Sequence, residues 1–367
     1  MRSHNRLPIR ILVKALLFVV LFSIAFSFLM NVPFGQISLY NRLYPGRERF
    51  PFGENPTASY NLSIYNLDAM IASHKIAAAE KNADEYRVFV VGDSSVWGFL
   101  QKPENTLAGL LDRKNLQING KQARFYNLGY PSLSVMKDWM IIDQVKKYDP
   151  DLIIWLVTLE SLPVPNQLAT PLVANNPILV NQLTEQYGVD EFEQQAVNWK
   201  DFTLIARRRE MADILRLQIY GVMWAAAGID QDYPAEFTPA LRDFESDDGF
   251  YDFQPNHLQE DRLALGVIQQ AVSTNPEIQF MLVNEPILIA EGENSDIRYN
   301  YYYPRWAYDQ YRGLMQSYLD KLGINYNDLW DIVPQENFTN SAIHMDRAGE
   351  EILAERIASI LKETTQK

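Results

Sequence analysis

The residue types that could form a nucleophile and its base are a serine at the end of an apolar run and a histidine just ahead of the last helical stretch. Ser94 lies in VFVVGDSSVWG, Val88 to Gly98. The run reads as a buried strand, Gly92 as an abrupt turn, and the residues from Ser94 onward as the start of a helix. That setting puts the hydroxyl at the carboxyl end of a strand, where open α/β sheets form their ligand crevice. Helix-start amides there can meet the negative charge of a tetrahedral intermediate. A serine hydroxyl needs a base before it attacks. Of the four histidines, His344 in NSAIHMDRAGEEILAERI is the best placed, in a loop before the terminal helix. His4 precedes the apolar N-terminal stretch, His74 sits in a helical stretch ahead of the strands, and His257 follows a long interval between strands.

The elements that must position these two residues alternate. Strands are predicted in YRVFVVGD from Tyr86, ARFYNL from Ala123 to Leu128, DPDLIIWLVTLES, EIQFMLVNEP from Glu277 to Pro286, and INYNDLW. Helices are predicted over Leu62 to Glu80, Val135 to Tyr148, Tyr308 to Leu322 and Arg347 to Leu361. Near-continuous apolar strands separated by helices predict an α/β three-layer sandwich with a mainly parallel, five-stranded sheet. The interval 164–275 breaks the rhythm and reads as a large, mostly helical insertion. The expected organisation is therefore 1–32 tail and anchor, 33–84 collar and lead-in helix, and 85–362 the α/β domain carrying the insertion. The collar holds repeated Pro and Gly, and its piece LYPGRERFPFGENP mixes turns with aromatics that favour packing onto the domain.

The compartment is read from the N-terminus. Ala15 to Met30 contains no charge, and a helix from Ile9 to Val32 is long enough to span about 30 Å of hydrocarbon. Arg2, Arg6, Arg10 and Lys14 precede or open the run, so the positive-inside bias puts the N-terminus in the cytoplasm and the main domain outside. A cleaved signal peptide is the other reading, and FLMNVPFG offers it no clear small-x-small site. With 47% hydrophobic residues the chain is too apolar to be mainly disordered. A net charge of −13 argues against nucleic acid as a partner. The absence of cysteine excludes disulfides, thiolate nucleophiles and thiolate metal sites. No dinucleotide, Walker, HExxH or EF-hand pattern occurs, so no cofactor or metal is expected.

Taken together, GDSS at Gly92 to Ser95, NLGYPSLS at Asn127 to Ser134, and His344 with Ala348 and Gly349 before the last helix resemble the blocks of the SGNH hydrolases, the GDSL-type esterase and lipase superfamily. The blocks frame nearly all of Arg87 to Ile360, and the resemblance implies an SGNH, flavodoxin-like sheet. It also implies that Ser94 is the nucleophile and that the N–H groups of Ser94 and Gly129 form the oxyanion hole. Two positions depart from the pattern. Where the family has an oxyanion-hole asparagine after the third strand, this chain has Glu160 in TLES, which as a carboxylate cannot donate. Thr158 or Ser161 is the candidate substitute donor; the other reading is a Glu160 that is neutral or turned away. Where the family has an aspartate three residues before the histidine, this chain has Ser341, with Asn340 one residue earlier. Asp346 and Asp331 are the candidate acids that orient the base.

Substrate-binding candidates are Asp93, Trp97 and Asn127 in the first two blocks, and Glu285, Asn294, Asp296, Arg298 and Tyr302 in VNEPILIAEGENSDIRYNYYYPRW. Aromatic faces beside amides and acids suit a carbohydrate. The alternative for that segment is an ordered loop with Arg298 paired to an acid. The reading is a membrane-anchored, extracytoplasmic serine esterase or O-acyltransferase acting on acyl esters of cell-envelope glycan or lipid. Its rival is a non-catalytic SGNH-like protein that binds glycan or docks onto a membrane acyltransferase.

Overall fold

The computed structural model describes residues 6–29, 47–52, 65–189, 192, 196–217, 223 and 236–365. In chain order its main elements are α1 (Arg6–Leu29), α2 (Leu67–Ser73), β1 (Glu85–Val91), α3 (Ser94–Trp97), α4 (Leu107–Arg113), β2 (Gln117–Ile118), β3 (Lys121–Asn127), α5 (Val135–Val145) and β4 (Leu152–Val157). There follow the short helices α6 (Val164–Gln167), α7 (Pro171–Ala174), α8 (Pro177–Tyr187) and α9 (Arg208–Leu215), then α10 (Leu265–Ser273), β5 (Gln279–Asn284), α11 (Arg305–Leu322), β6 (Asn325–Asp328) and α12 (Arg347–Thr365).

The sheet has six strands in the order β2-β3-β1-β4-β5-β6, one more than the five expected. The extra strand is a two-residue edge. β2 pairs antiparallel with β3 across an Asn119-Gly120 turn in which both residues have positive φ, as the tightest hairpin turns require. All other pairings are parallel: Val88 lies beside Phe125 on one side and Leu152 on the other, and Trp155 lies beside Leu282. Every residue of β1 and β4 is buried. Their unbroken apolar runs follow from having helices on both faces.

Those helices make the two outer layers. On one face Phe89, Val91, Ile153, Trp155 and Leu282 pack with Trp139 and Ile142 of α5, Ile268 of α10, and Tyr308 and Met315 of α11. On the other, Val88, Val90, Ile154, Leu156 and Val283 pack with Leu107 and Leu111 of α4 and Leu353 and Ile357 of α12. The three-layer α/β architecture expected from the sequence is present. Among its described residues the interval 164–275 contains the short helices α6 to α9, but α10 at its end packs on α5 within the frame itself.

α1 contains a 19-residue window, Pro8–Phe26, of mean hydropathy 2.5 that is 6% buried. It is long and apolar enough to cross a membrane. The expected span ran on to Val32, and Met30 to Val32 lie outside the described residues, as do 33–46 and 53–64 of the collar. The lead-in helix is shorter than Leu62 to Glu80: it stops at Ser73 because His74 turns extended, caps a following 3-10 turn through Nδ1, and starts it anew.

Candidate active site

β1 ends in Gly92, where a side chain would meet Val96 Cγ2 at 2.7 Å and Leu156 O at 3.1 Å. Glycine is needed there because α3 folds straight back against the strand ends. Asp93 caps α3, its Oδ1 accepting from Ser95 N at 2.7 Å. Ser94 is the first helical residue, so its N–H belongs to the amides that have no acceptor within the helix. Gly98, at φ 82°, ends the helix and donates to Ser94 O.

His344 reaches this turn across 250 residues of sequence. Its Nε2 lies 2.7 Å from Ser94 Oγ, and its Nδ1 lies 2.8 Å from Asn340 Oδ1. An amide oxygen only accepts, so Nδ1 carries the proton and Nε2 accepts from the serine hydroxyl. Phe99 stacks on the imidazole, centroids 4.8 Å apart and planes 19° apart. Burial, with no charge opposing it, lowers the His344 pKa to about 4. The ring is therefore neutral at pH 7.

The third partner is Asn340, not the expected Asp346 or Asp331. A short hairpin decides this: Thr339 N donates to His344 O, and Asp346 N to Asn337 O. Residues 340–343 form its turn and swing Asn340 across to the imidazole. Asp346 falls beyond it, where Oδ1 accepts from Gly349 N at the start of α12 and from Asn337 Nδ2. Asp331 is exposed.

The expected oxyanion donors are also placed differently. Gly129 N donates to Asn127 Oδ1 at 3.1 Å, so this amide is already engaged. The glycine is required for another reason: a side chain would meet Trp97 N at 2.5 Å, so α3 lies directly on the β3–α5 loop. Thr158 Oγ1 donates to Tyr303 OH at 3.1 Å, and Ser161 Oγ accepts from Thr158 N. Both side chains are buried. The Glu160 carboxyl accepts from Tyr251 OH and Asn166 Nδ2. Burial pushes it up to about 7, with the tyrosine hydrogen bond pulling the other way.

Most substrate-binding candidates turn out to be braces. Asn127 Nδ2 donates to Val96 O at 2.7 Å, and buried Trp97 donates from Nε1 to Phe50 O. Asp93 and Glu285 are both buried, and Glu285 Oε2 accepts from Ser95 Oγ. Burial raises both carboxyls, and the proximity of Asp93 raises Glu285 further. Arg298 is spent on five backbone carbonyls, those of Asp247, Gly249, Asn300, Tyr301 and Tyr302, at 2.9–3.2 Å. Its acidic neighbour Asp247 is 4.0 Å away, so the ordered-loop alternative describes it better than a ligand contact. Asn294 donates to Phe244 O, and Asp296 is exposed. Tyr302 is half-buried and packs on Tyr301, whose hydroxyl lies 3.0 Å from Ser341 Oγ, one residue from Asn340.

Sequence reasoning missed three further parts of the site. Besides Asn340 and Phe99, a fully buried Lys137 donates from Nζ to Gly92 O at 2.7 Å, Tyr130 O at 3.0 Å and Asp138 Oδ1 at 2.5 Å. Asp138 in turn accepts from Trp155 Nε1. The only available signal was a Lys-Asp pair inside the otherwise apolar VMKDWMII. No group of three metal-ligating side chains occurs among the described residues.

No protein-family model matches the sequence, and the search of curated proteins gives no match. Solved structures with similar folds include a carbohydrate acetylesterase family member from Sinorhizobium meliloti, 12% identical, with TM-score 0.36 over 77% of this chain and 99% of that one. Others are the aryl esterase of M. smegmatis (10%, TM-score 0.35, 76% and 98%) and a lipolytic protein of the G-D-S-L family from Veillonella parvula (9%, TM-score 0.34, 75% and 98%). At such similarity, function is read from this chain's own side chains.

Proposed function

We propose that the chain is a serine esterase or O-acyltransferase of the SGNH type, held at a membrane by α1 with its main domain outside the cytoplasm. Its substrates are acyl esters of cell-envelope glycan or lipid. The observation that carries this reading is the Ser94 Oγ to His344 Nε2 contact of 2.7 Å, with Asn340 fixing the other ring nitrogen.

In this reaction His344 Nε2 takes the hydroxyl proton as Ser94 Oγ bonds to the ester carbonyl carbon. The Ser94 N–H at the start of α3 meets the charge that develops on the carbonyl oxygen. The intermediate collapses, the C–O bond to the leaving alcohol breaks, and His344 returns its proton to that alcohol. Water or a second hydroxyl then loses its proton to His344 and attacks the acyl carbon; the bond from that carbon to Ser94 Oγ breaks, and His344 returns the proton to the serine. Water makes the protein an esterase, and a sugar or lipid hydroxyl makes it a transferase. Asn340 holds the productive tautomer but carries no charge to stabilise the imidazolium.

The non-catalytic reading draws support from one feature: Gly129 N and Thr158 Oγ1, two of the expected second oxyanion donors, already donate elsewhere. On that reading the body binds a cell-surface glycan or docks onto a membrane acyltransferase. Fluorophosphonate labelling of the full chain in detergent separates the two. Labelling that is lost in Ser94→Ala and His344→Ala is the expected result. A folded wild type that takes no label sinks the catalytic reading and leaves the binding one.

A further inference from the structure

The stretch Arg47–Phe52, which follows α1 in sequence, is not needed to complete the sheet, yet it is built into the back of the nucleophile turn. Arg47 N donates to Ser73 O and Arg47 O accepts from Lys75 N, at 3.1 and 2.8 Å. Neutral His74 donates from Nε2 to Glu48 O, its pKa lowered to about 3 chiefly by burial. Arg49 is 4% exposed. Its Nη1 lies 3.0, 2.8 and 3.0 Å from the carbonyl oxygens of Trp97, Gly98 and Gln101, and its guanidinium lies 4.0 Å over the Trp97 ring. The returning bond, Trp97 Nε1 to Phe50 O, is 2.9 Å.

The first of those carbonyls ends α3 and the other two bound the loop that follows it, Gly98–Gln101, and this loop holds both reacting residues. Gly98 N and Phe99 N each donate to Ser94 O at 3.1 Å. Phe99 stacks on His344, and Gln101 Nε2 donates to Met345 O at 3.0 Å, one residue past the histidine. The loop is not a relaxed one, since Gly98 and Leu100 both have positive φ, 82° and 63°. Leucine does not adopt that region without external support. A buried cation at the carbonyl end of α3, gripping both ends of this loop, supplies the support.

We propose that Arg49 is a positioning residue for the Ser94–His344 pair, acting through the Gly98–Gln101 loop, so that the segment following the apolar helix sets the geometry of the reacting atoms. The inference rests on the catalytic reading of that pair.

The test uses the full chain in detergent, with kcat and KM on an aryl acetate normalised to fluorophosphonate-labelled sites and the fold checked by thermal melt. Arg49→Met should lower kcat and the labelling rate by about 10- to 100-fold, the scale set by misplacing reacting groups by about an ångström, with KM changing far less. Arg49→Lys should recover most of it, because an ammonium also donates to several carbonyls. Gln101→Met should lower kcat in the same way, and the double variant should fall short of the product of the two single effects. A folded Arg49→Met or Arg49→Gln with kcat within about twofold of wild type overturns the proposal, as do multiplicative single effects; the glutamine variant serves where the methionine one does not fold. A wild type that neither labels nor turns over defeats the catalytic reading instead.

Discussion

The two halves of the candidate site are built from opposite materials. Beneath Ser94 lie buried charges and carboxyls: Lys137 and Asp138, Asp93 and Glu285 around Ser95, and Arg49 at the far end of α3. Around His344 every contact is neutral: the Asn340 amide, the Phe99 ring and the Ser94 hydroxyl. A serine hydrolase built around an aspartate concentrates charge beside the base, where it stabilises the imidazolium. Here the charge is invested in holding the nucleophile turn rigid, and the base is left in a medium that opposes its protonation. Lowering His344 from 6.5 to about 4 corresponds to an imidazolium harder to form by on the order of 3 kcal/mol. The oxyanion that appears with it offsets part of that cost.

The largest effects should come from the two atoms where the halves meet. Ser94→Ala or His344→Ala should reduce ester turnover by at least about a thousandfold, measured as kcat on an aryl acetate. Equal, modest losses in both variants would mean that the contact is structural.

The charged half predicts stability rather than rate. Glu285→Ala would leave Ser95 Oγ without its acceptor and open a buried space, a loss of about 2–4 kcal/mol in denaturant unfolding. Glu285→Gln keeps the shape and an acceptor without the ionisation. Glu285 is raised in the fold, so its contribution is fully present below the unfolded carboxyl value and is lost as pH rises above it. The glutamine variant should therefore lose less stability than wild type between acid and neutral pH. Parallel pH–stability curves for the two would show that this carboxyl ionises freely.

The neutral half predicts the reverse kind of change. Asn340→Asp places a carboxylate at Nδ1, which should raise the His344 pKa and increase kcat by about tenfold. The acid limb of the pH–rate profile should move up from about 4 toward neutrality. In wild type the buried neutral imidazole contributes stability that is present above pH 6.5 and lost as pH falls toward 4. The aspartate variant should lose less on the acid side. An acid limb that stays in place would mean that the hairpin does not deliver residue 340 to the ring in solution.

This asymmetry also marks how far the sequence could be read. Strands, helices and the Ser94 and His344 positions were visible because each rests on a local signal: an apolar run, a glycine break, a loop before a helix. Asn340 carries no charge to stabilise an imidazolium, so the sequence points to Asp346 and Asp331 instead, whereas the 337–346 hairpin brings the residue four before the histidine to the ring. The edge strand β2 had its signal in Asn119-Gly120, but two residues of strand are too few for alternation to show. Lys137, Asp138 and Arg49 were illegible for a different reason. For Arg49 nothing local distinguishes a charge bound for three backbone carbonyls from one on a solvated face, because the carbonyls come from elsewhere in the chain, and Lys137 and Asp138 left only their place inside an apolar run.

Glu160 offers the smallest and most discriminating test of where the site's charge acts. It stands where the sequence pattern calls for an oxyanion donor, yet its carboxyl is held by Tyr251 and Asn166 and titrates at about 7. If that carboxylate faced the developing oxyanion, removing its charge would raise kcat by an amount that grows as pH rises through 7. Because its bonds lead toward Tyr251, Glu160→Gln should change kcat by less than about threefold at any pH, well under the hundredfold associated with a true oxyanion donor. The change should appear in stability instead. A raised carboxyl contributes stability below pH 4.5 and loses it as pH rises through 7, so the glutamine variant should gain relative to wild type above neutrality. A strong, pH-dependent gain in kcat would instead place Glu160 beside the reacting oxygen and give the site a charge that acts on the chemistry directly.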